Sequence, residues 1–334
     1  MSDPIRLGLL GAGAVAQLVH LPVLSRLRGV QLVAICDNDR VKARALADRF
    51  GALDAFTDIE DLLEFDALDA VIIATPNHLH EPHVLAALSR GAHVLCERPL
   101  ALSSKGVERI LAAAVRHDRK VVVGNNHRFR TDVQALSRFL HGGELGKLTG
   151  VRAGAYHPAG AIGGWRRNRP EAGGGAFLEH GFQLLDLALW LADFPDPVRV
   201  SAFMDRPRGA KAVEESMLVV LEAAGGLACT FDVSWSYHGE EERWWFEALA
   251  ARGSARLAPL RVIKELNGKA VDVSPTGGAA RESATLQSYR AQDTHFLSVL
   301  AGESPYKPPT DQLVLHRALE AIYRAANEEK EIRL

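Results

Sequence analysis

The chain has 334 residues, 47% of them hydrophobic and 24% charged, with a formal net charge of −2; these are ordinary globular values, and the length suits two domains. Such a balance excludes an electrostatic footprint for nucleic acid or an anionic membrane, so a small-molecule partner is expected. Cys36, Cys96 and Cys229 lie far apart and form neither a disulfide framework nor a zinc spacing, Met1-Ser2-Asp3-Pro4 runs into an apolar segment without a signal peptide, and no apolar run reaches membrane-spanning length, which points to the cytoplasm.

The first predicted strand is Ile5 to Leu10, and Gly11-Ala12-Gly13-Ala14-Val15-Ala16 follows it with a helical pattern from near Ala14. Strand, glycine turn and helix in that order read as a dinucleotide site. Gly11 permits the tight turn, Gly13 lets backbone approach a pyrophosphate, and the helix start aims free N–H groups at the phosphates. The second strand, Gln31 to Cys36, ends at Asp37, placed to accept from the adenosine ribose and to repel a 2′-phosphate, which favours NAD over NADP. Arg40 and Arg44 are near enough to favour the 2′-phosphate instead. The alternative reading is a packing turn with Asp37 capping the next helix.

Further strands are expected near Ala55 and at Ala70 to Thr75, His93 to Cys96 and Lys120 to Val123, alternating with helices. Pro82 suits a first helical turn, Gly91 the following C-terminus, and Ser103 or Ser104 an N-cap. Six such strands make a doubly wound parallel sheet. Beyond Gly124 the pattern changes to alternating strands at Leu148 to His157, Val198 to Met204, Ser216 to Leu221, Leu227 to Trp235 and Arg243 to Ala250, a mostly antiparallel sheet. One helix, about Ala176 to Ala192, is apolar nearly all round and is expected between that sheet and the cofactor domain. The aromatics Trp235, Tyr237, Trp244 and Trp245 on consecutive strands read as core or subunit contact. A helical pattern from Asp311 to about Asn327 closes the chain.

Four segments resemble the family of glucose-fructose oxidoreductase and inositol dehydrogenase (Gfo/Idh/MocA): the glycine turn; Ala74-Thr75-Pro76-Asn77 with His80; Val94 to Leu100 around Glu97-Arg98-Pro99; and Gly173-Gly174-Gly175 leading to Glu179, Gly181 and Asp186. The resemblance implies an NAD-binding Rossmann domain at 1–124 and an α/β domain with a large open sheet for substrate and oligomer contacts at 125–310. The C-terminal helix, 311–334, would pack near the domain junction. It also implies a homodimer or homotetramer through the sheet, and cofactor contacts from Gly11, Gly13, Ala14, Val15, Asp37, Thr75, Pro76, Asn77, His80, Glu97 and Arg98. The implied activity is hydride transfer between the nicotinamide and a secondary alcohol or ketone of a sugar, cyclitol or sugar acid.

Two positions depart from the family's pattern. Where the family has a lysine this chain has Arg98, and where it has the histidine base this chain has Gln183. Arginine stays protonated and glutamine does not titrate, so neither moves a proton, though both can hydrogen-bond. Glu179, one helical turn before Gln183, is the first candidate for proton acceptor; an ion pair with Arg98 that ties the domains together is the competing reading. His180 is rotated by about 100° from it on an ideal helix and is expected to face elsewhere unless Gly181 distorts the turn. Asn126 to Phe129 resembles a domain-crossing segment, where Asn126, His127 or Arg128 would meet substrate. Trp165-Arg166 in a glycine-punctuated stretch resembles a substrate loop, its guanidinium joined by Arg167 and Arg169 in favouring an anion. His78-x-His80 has no third ligand beside it, so no metal is expected. The loss of both proton carriers leaves a second reading open, an NAD(H)-binding sensor or accessory protein without dehydrogenase chemistry.

Overall fold

The computed structural model describes residues 3–65, 68–209, 211–275 and 282–334; Met1 and Ser2, part of the N-terminal reading above, lie outside them. Chain contacts divide it into two compact units, Met1–Asn126 with Glu282–Gln312, and His127–Arg281 with Leu313–Leu334. The sequence-based boundary at 310 differs from this, because a helix the pattern did not reveal, Ala284–Leu300, belongs to the first unit, where Phe296 joins the core of Leu7, Leu9, Ile35 and Ile72.

The first unit holds six parallel strands, β1 (Ile5–Leu10), β2 (Val30–Cys36), β3 (Asp54–Phe56), β4 (Ala70–Ile73), β5 (His93–Glu97) and β6 (Val121–Gly124), in the order β3-β2-β1-β4-β5-β6. This is the doubly wound order, which reverses between β1 and β4 and leaves a crevice at the strands' carboxyl ends. The strands are short apolar runs because helices cover both faces; β4 is buried at every position. Local chemistry sets the helices. Asp39 caps Arg40–Phe50 by accepting from Lys42 N at 3.0 Å, and Gly51, at φ 73°, ends it. Ser103 caps Ser104–Arg116 through Gly106 N at 3.1 Å. Pro82 stands inside Asn77–Ser89 instead of in its first turn, since Asn77 already starts the helix directly after Pro76.

The second unit is built on nine strands: β7 (Leu148–Pro158), β8 (Pro197–Asp205), β9 (Ser216–Ala223), β10 (Leu227–Tyr237), β11 (Arg243–Ala250), β12 (Gly253–Arg256), β13 (Arg261–Leu266), β14 (Lys269–Asp272) and β15 (Ile332–Arg333). Their order is β14-β13-β12-β11-β7-β10-β9-β8-β15, antiparallel except for the central β7–β10 pair. Alternation puts Val151, Ala153, Ala155, Phe231, Val233, Trp235, Phe246 and Ala248 on the buried face. Against that face lies the helix foreseen near 176–192, as a π-helical turn Phe177–Gly181 that continues into Phe182–Trp190. Among the described residues no helix is long and apolar enough to cross a membrane.

Candidate functional site

In the first unit the glycine turn is shaped by close approach. Gly11 has φ 93°, and a Cβ there would stand 2.6 Å from Ala74 O, on the adjoining strand's exit. A Cβ on Gly13 would meet nothing within 4 Å, so its backbone is open to a ligand. Helix begins at Ala14 and passes through a π-helical turn, Ala16–His20. Asp37 binds back to the turn: its Oδ2 accepts from Ala12 N at 2.8 Å and its Oδ1 from Asp39 N at 3.0 Å. The cation on Asp37 is neither Arg40 nor Arg44 but Lys42, with Nζ 2.8 Å from Oδ1; Arg44 pairs with Asp48 at 2.8 Å. An open glycine backbone at a helix start, with a carboxylate at the end of the second strand, fits a dinucleotide.

At the exits of β4 and β5, two residues expected at the cofactor are engaged by the fold instead. His80 is buried, with Nδ1 2.7 Å from Pro99 O and Nε2 2.8 Å from Thr75 O. Burial pulls its pKa below the ordinary histidine value, against the pull of the two carbonyls. Its two nitrogens therefore face carbonyls of the loops after β4 and β5, and the neutral ring donates to one of them. Glu97 Oε1 lies 2.9 Å from His20 Nε2, so this carboxylate faces inward as well. Thr75 Oγ1 is 3.2 Å from His83 Nδ1; burial, followed by His80 and His78, lowers the His83 pKa to about 4, which keeps that ring neutral at physiological pH. Asn126 donates from Nδ2 to Ser288 Oγ at 3.1 Å, a contact with the unforeseen helix.

In the second unit the residues of 177–190 that escape burial are Glu179, His180, Gln183 and Trp190. His180 lies in the π turn and is half-buried, as Glu179 and Gln183 are. Gly181 makes the turn possible: a Cβ there would stand 2.4 Å from the Phe177 ring. Arg166 Nε is 3.2 Å from Glu179 Oε1, and the same guanidinium lies over the Trp165 ring at 4.5 Å. The His180 ring stacks on His157 of β7, centroids 3.7 Å apart, and His157 Nδ1 is 2.8 Å from Glu242 Oε1. Trp235 meets His180 edge-on at 6.3 Å. Arg128 makes a fork with Asp186, Nε to Oδ2 at 2.9 Å and Nη2 to Oδ1 at 2.5 Å. This neutralises a buried carboxylate and commits the guanidinium to the helix it anchors. Sequence reasoning did not single out His157, Glu242 or His20; no motif spacing joins them, and only the fold brings them to their partners.

A Rossmann unit with a dinucleotide turn, followed by a unit in which a helix bearing Glu179, His180 and Gln183 packs on a nine-stranded sheet, is the arrangement of a class of NAD-dependent oxidoreductases. Family models agree over both units: residues 5–125 match the oxidoreductase family with an NAD-binding Rossmann fold, and 133–256 match the GFO/IDH/MocA C-terminal domain. The chain belongs to the GFO/IDH/MocA oxidoreductase family, and its cofactor is NAD. It is 26% identical to the D-glucoside 3-dehydrogenase of Escherichia coli K12, over 97% of this chain and 96% of that one. It is 35% identical to the inositol 2-dehydrogenase of Corynebacterium glutamicum strain R, over 48% of each. Among solved structures, GenD2 from gentamicin A biosynthesis, in complex with NAD, superposes with a TM-score of 0.86 at 25% identity, covering 100% of this chain and 97% of that one.

Proposed function

We propose that this enzyme oxidises a secondary alcohol of a sugar, cyclitol or sugar acid, or reduces the matching ketone. The observation that carries the reading is the glycine turn held by Asp37, in a chain similar over nearly its whole length to a glucoside 3-dehydrogenase. Gly11, Gly13, Ala14 and Val15 take the pyrophosphate on backbone N–H groups, Asp37 takes the adenosine ribose, and Thr75, Pro76, Asn77 and Arg98 line the nicotinamide side. Glu97 and His80 support that side from behind. Bound NAD supplies the hydride acceptor.

The chain's own residues handle the proton. As the C–H electron pair leaves with the hydride and the carbonyl forms, Glu179 takes the hydroxyl proton, with Arg166 fixing the carboxylate's place. Arg98 holds the reacting oxygen through N–H donors, Gln183 orients a neighbouring hydroxyl, and His180 on the same strip is the second acceptor. Trp165 and Arg166 offer an aromatic face and a guanidinium to the ring or its carboxylate.

The test is nicotinamide absorbance during incubation with NAD and a panel of sugars, cyclitols and sugar acids. NADH formation is expected, and Glu179→Gln is expected to lower kcat by about 100-fold or more; full turnover by that variant overturns the assignment of Glu179. Silence across the panel from protein that binds NADH supports a sensor or accessory role instead, which the exchange of both family proton carriers for Arg98 and Gln183 motivates. Arg98→Lys with Gln183→His would then restore dehydrogenase activity.

We infer in addition that copies of the chain associate, as a homodimer or homotetramer, through the outer face of the nine-stranded sheet. Phe203, Leu218 and Val220 are exposed there, and Phe203 pairs across strands with Leu218, an apolar patch of the kind that marks an interface. Phe203→Asp is expected to reduce the mass measured by light scattering; an unchanged mass would place the contact elsewhere.

A further inference from the structure

His20 is fully buried in the π-helical turn that follows the dinucleotide turn, and each ring nitrogen faces a carboxylate from a different part of the first unit. Nε2 lies 2.9 Å from Glu97 Oε1, at the last residue of β5, and Nδ1 lies 3.2 Å from Asp293 Oδ2, on Ala284–Leu300. The edge of the Tyr289 ring closes the pocket at 5.3 Å. Gln292 is buried next to Asp293, with Nε2 3.5 Å from Asp293 Oδ1.

A neutral imidazole has one N–H and would turn a lone pair toward one of the two carboxylates; a protonated ring donates to both. Burial alone would lower the pKa of His20, but Asp293 and then Glu97 more than offset this and push it up to about 10. The ring is therefore a fixed buried cation that joins three segments far apart in sequence. On its other side Glu97 is confined by β6: a Cβ on Gly124 would stand 3.1 Å from Glu97 Cδ. With its carboxylate held by His20 and its stem against Gly124, Glu97 has little freedom, and the next residue in the chain is Arg98.

We propose that His20, backed by Asp293, is a positioning residue for hydride transfer, holding the Glu97 side chain and through it the β5 exit from which Arg98 meets the nicotinamide. This rests on the reading that the Arg98 side is the nicotinamide side. Because His20 also belongs to the helix after the glycine turn, the same contact sets the nicotinamide end of the site relative to its pyrophosphate end.

The experiment compares the parent with His20→Gln and Asp293→Asn, full-length and at a temperature where all three are folded, by protein-fluorescence titration with NADH and with ADP-ribose, which lacks the nicotinamide. NADH binding is expected to weaken by about three- to tenfold in both variants while ADP-ribose binding stays within about twofold. Equal weakening of both ligands would reduce His20 to a general support of the fold, and no change in either would show that Glu97 and Arg98 keep their places without it; each overturns the proposal. A parent that binds NADH no better than ADP-ribose overturns the placement of the nicotinamide by Arg98, and the proposal falls with it, a failure visible before any variant is made. A second variant signature is kinetic. In Asp293→Asn the ring loses one of its two carboxylates and its pKa falls, so the alkaline limb of the kcat profile is expected to move to lower pH than in the parent, whose ring pKa is pushed up to about 10, whereas a purely structural role would lower thermal stability and leave the shape of the kcat profile unchanged.

Discussion

The two units treat polar side chains in opposite ways. Around the dinucleotide turn of the first, the acid and histidine groups are tied into the fold: Asp37 to Ala12 N, His80 to two carbonyls, Glu97 and Asp293 to His20. On the helix Phe177–Trp190 of the second, Asp186 is buried in its fork with Arg128, but Glu179 and His180 stand out of the apolar core and meet partners at its edge, Glu179 with Arg166 and His180 with His157. A turn that holds a constant cofactor can present backbone N–H groups and use its side chains as braces. A surface that selects one substrate has to present side chains.

The largest effect expected on the braced side is loss of its buried cation. A histidine whose folded pKa is raised contributes stability that is fully present below its unfolded value near 6.5 and is lost as pH rises through about 10. His20→Gln leaves Glu97 and Asp293 buried with no cation, which is expected to cost about 3–5 kcal/mol at acid to neutral pH. The gap from the parent should then narrow steadily toward pH 10, as the parent loses the same charge. Urea midpoints measured across that range check it, and a gap that does not change with pH would mean the ring is not a cation.

The edge of the second unit depends on a brace of its own, and breaking it sharpens the contrast. Glu214 is buried and accepts from Gly175 N at 2.9 Å, Phe177 N at 3.1 Å and Tyr323 Oη at 2.7 Å, which serves the start of the helix that carries Glu179. A Cβ on Gly175 would stand 2.0 Å from Glu214 O, a backbone atom that cannot swing aside. Gly175→Ala is expected to cost about 3 kcal/mol, against about 1 kcal/mol for Gly51→Ala, where a Cβ would meet nothing within 4 Å and the obstacle is a φ of 73°. Thermal denaturation separates the two, and equal losses would remove the argument from close approach.

The same division decides what could be read in the sequence. Strands β1 to β11, the glycine turn and the buried helix were legible because periodicity and turn chemistry write them locally. Ala284–Leu300 was not, because its buried face includes Ser288, Gln292 and Asp293 beside Tyr289 and Phe296, so the polar braces interrupt the apolar stripe that would have announced it. The stack of His180 on His157 had no local signal, because the π turn that carries His180 leaves no mark in composition. Glu97 and His80 were recognised as belonging to the cofactor end, but a motif gives a residue's neighbourhood and not the direction of its side chain.

The smallest effect tests a brace that reaches solvent. Lys42 is partly exposed and holds Asp37 Oδ1 at 2.8 Å, while Oδ2 stays with Ala12 N. Asp37 opposes a 2′-phosphate on the adenosine ribose, and the ammonium beside it offsets part of that opposition. Lys42→Gln removes the offset without touching the turn, so NADPH should lose about threefold in affinity relative to NADH, more at low ionic strength than high. Fluorescence titration with the two reduced cofactors measures the ratio directly. An unchanged ratio would assign Lys42 to the helix cap alone, leaving Asp37 to discriminate unaided, whereas a ratio shifted toward NADPH would mean that the lysine orients the carboxylate toward the ribose and that the brace, not the charge, sets the preference.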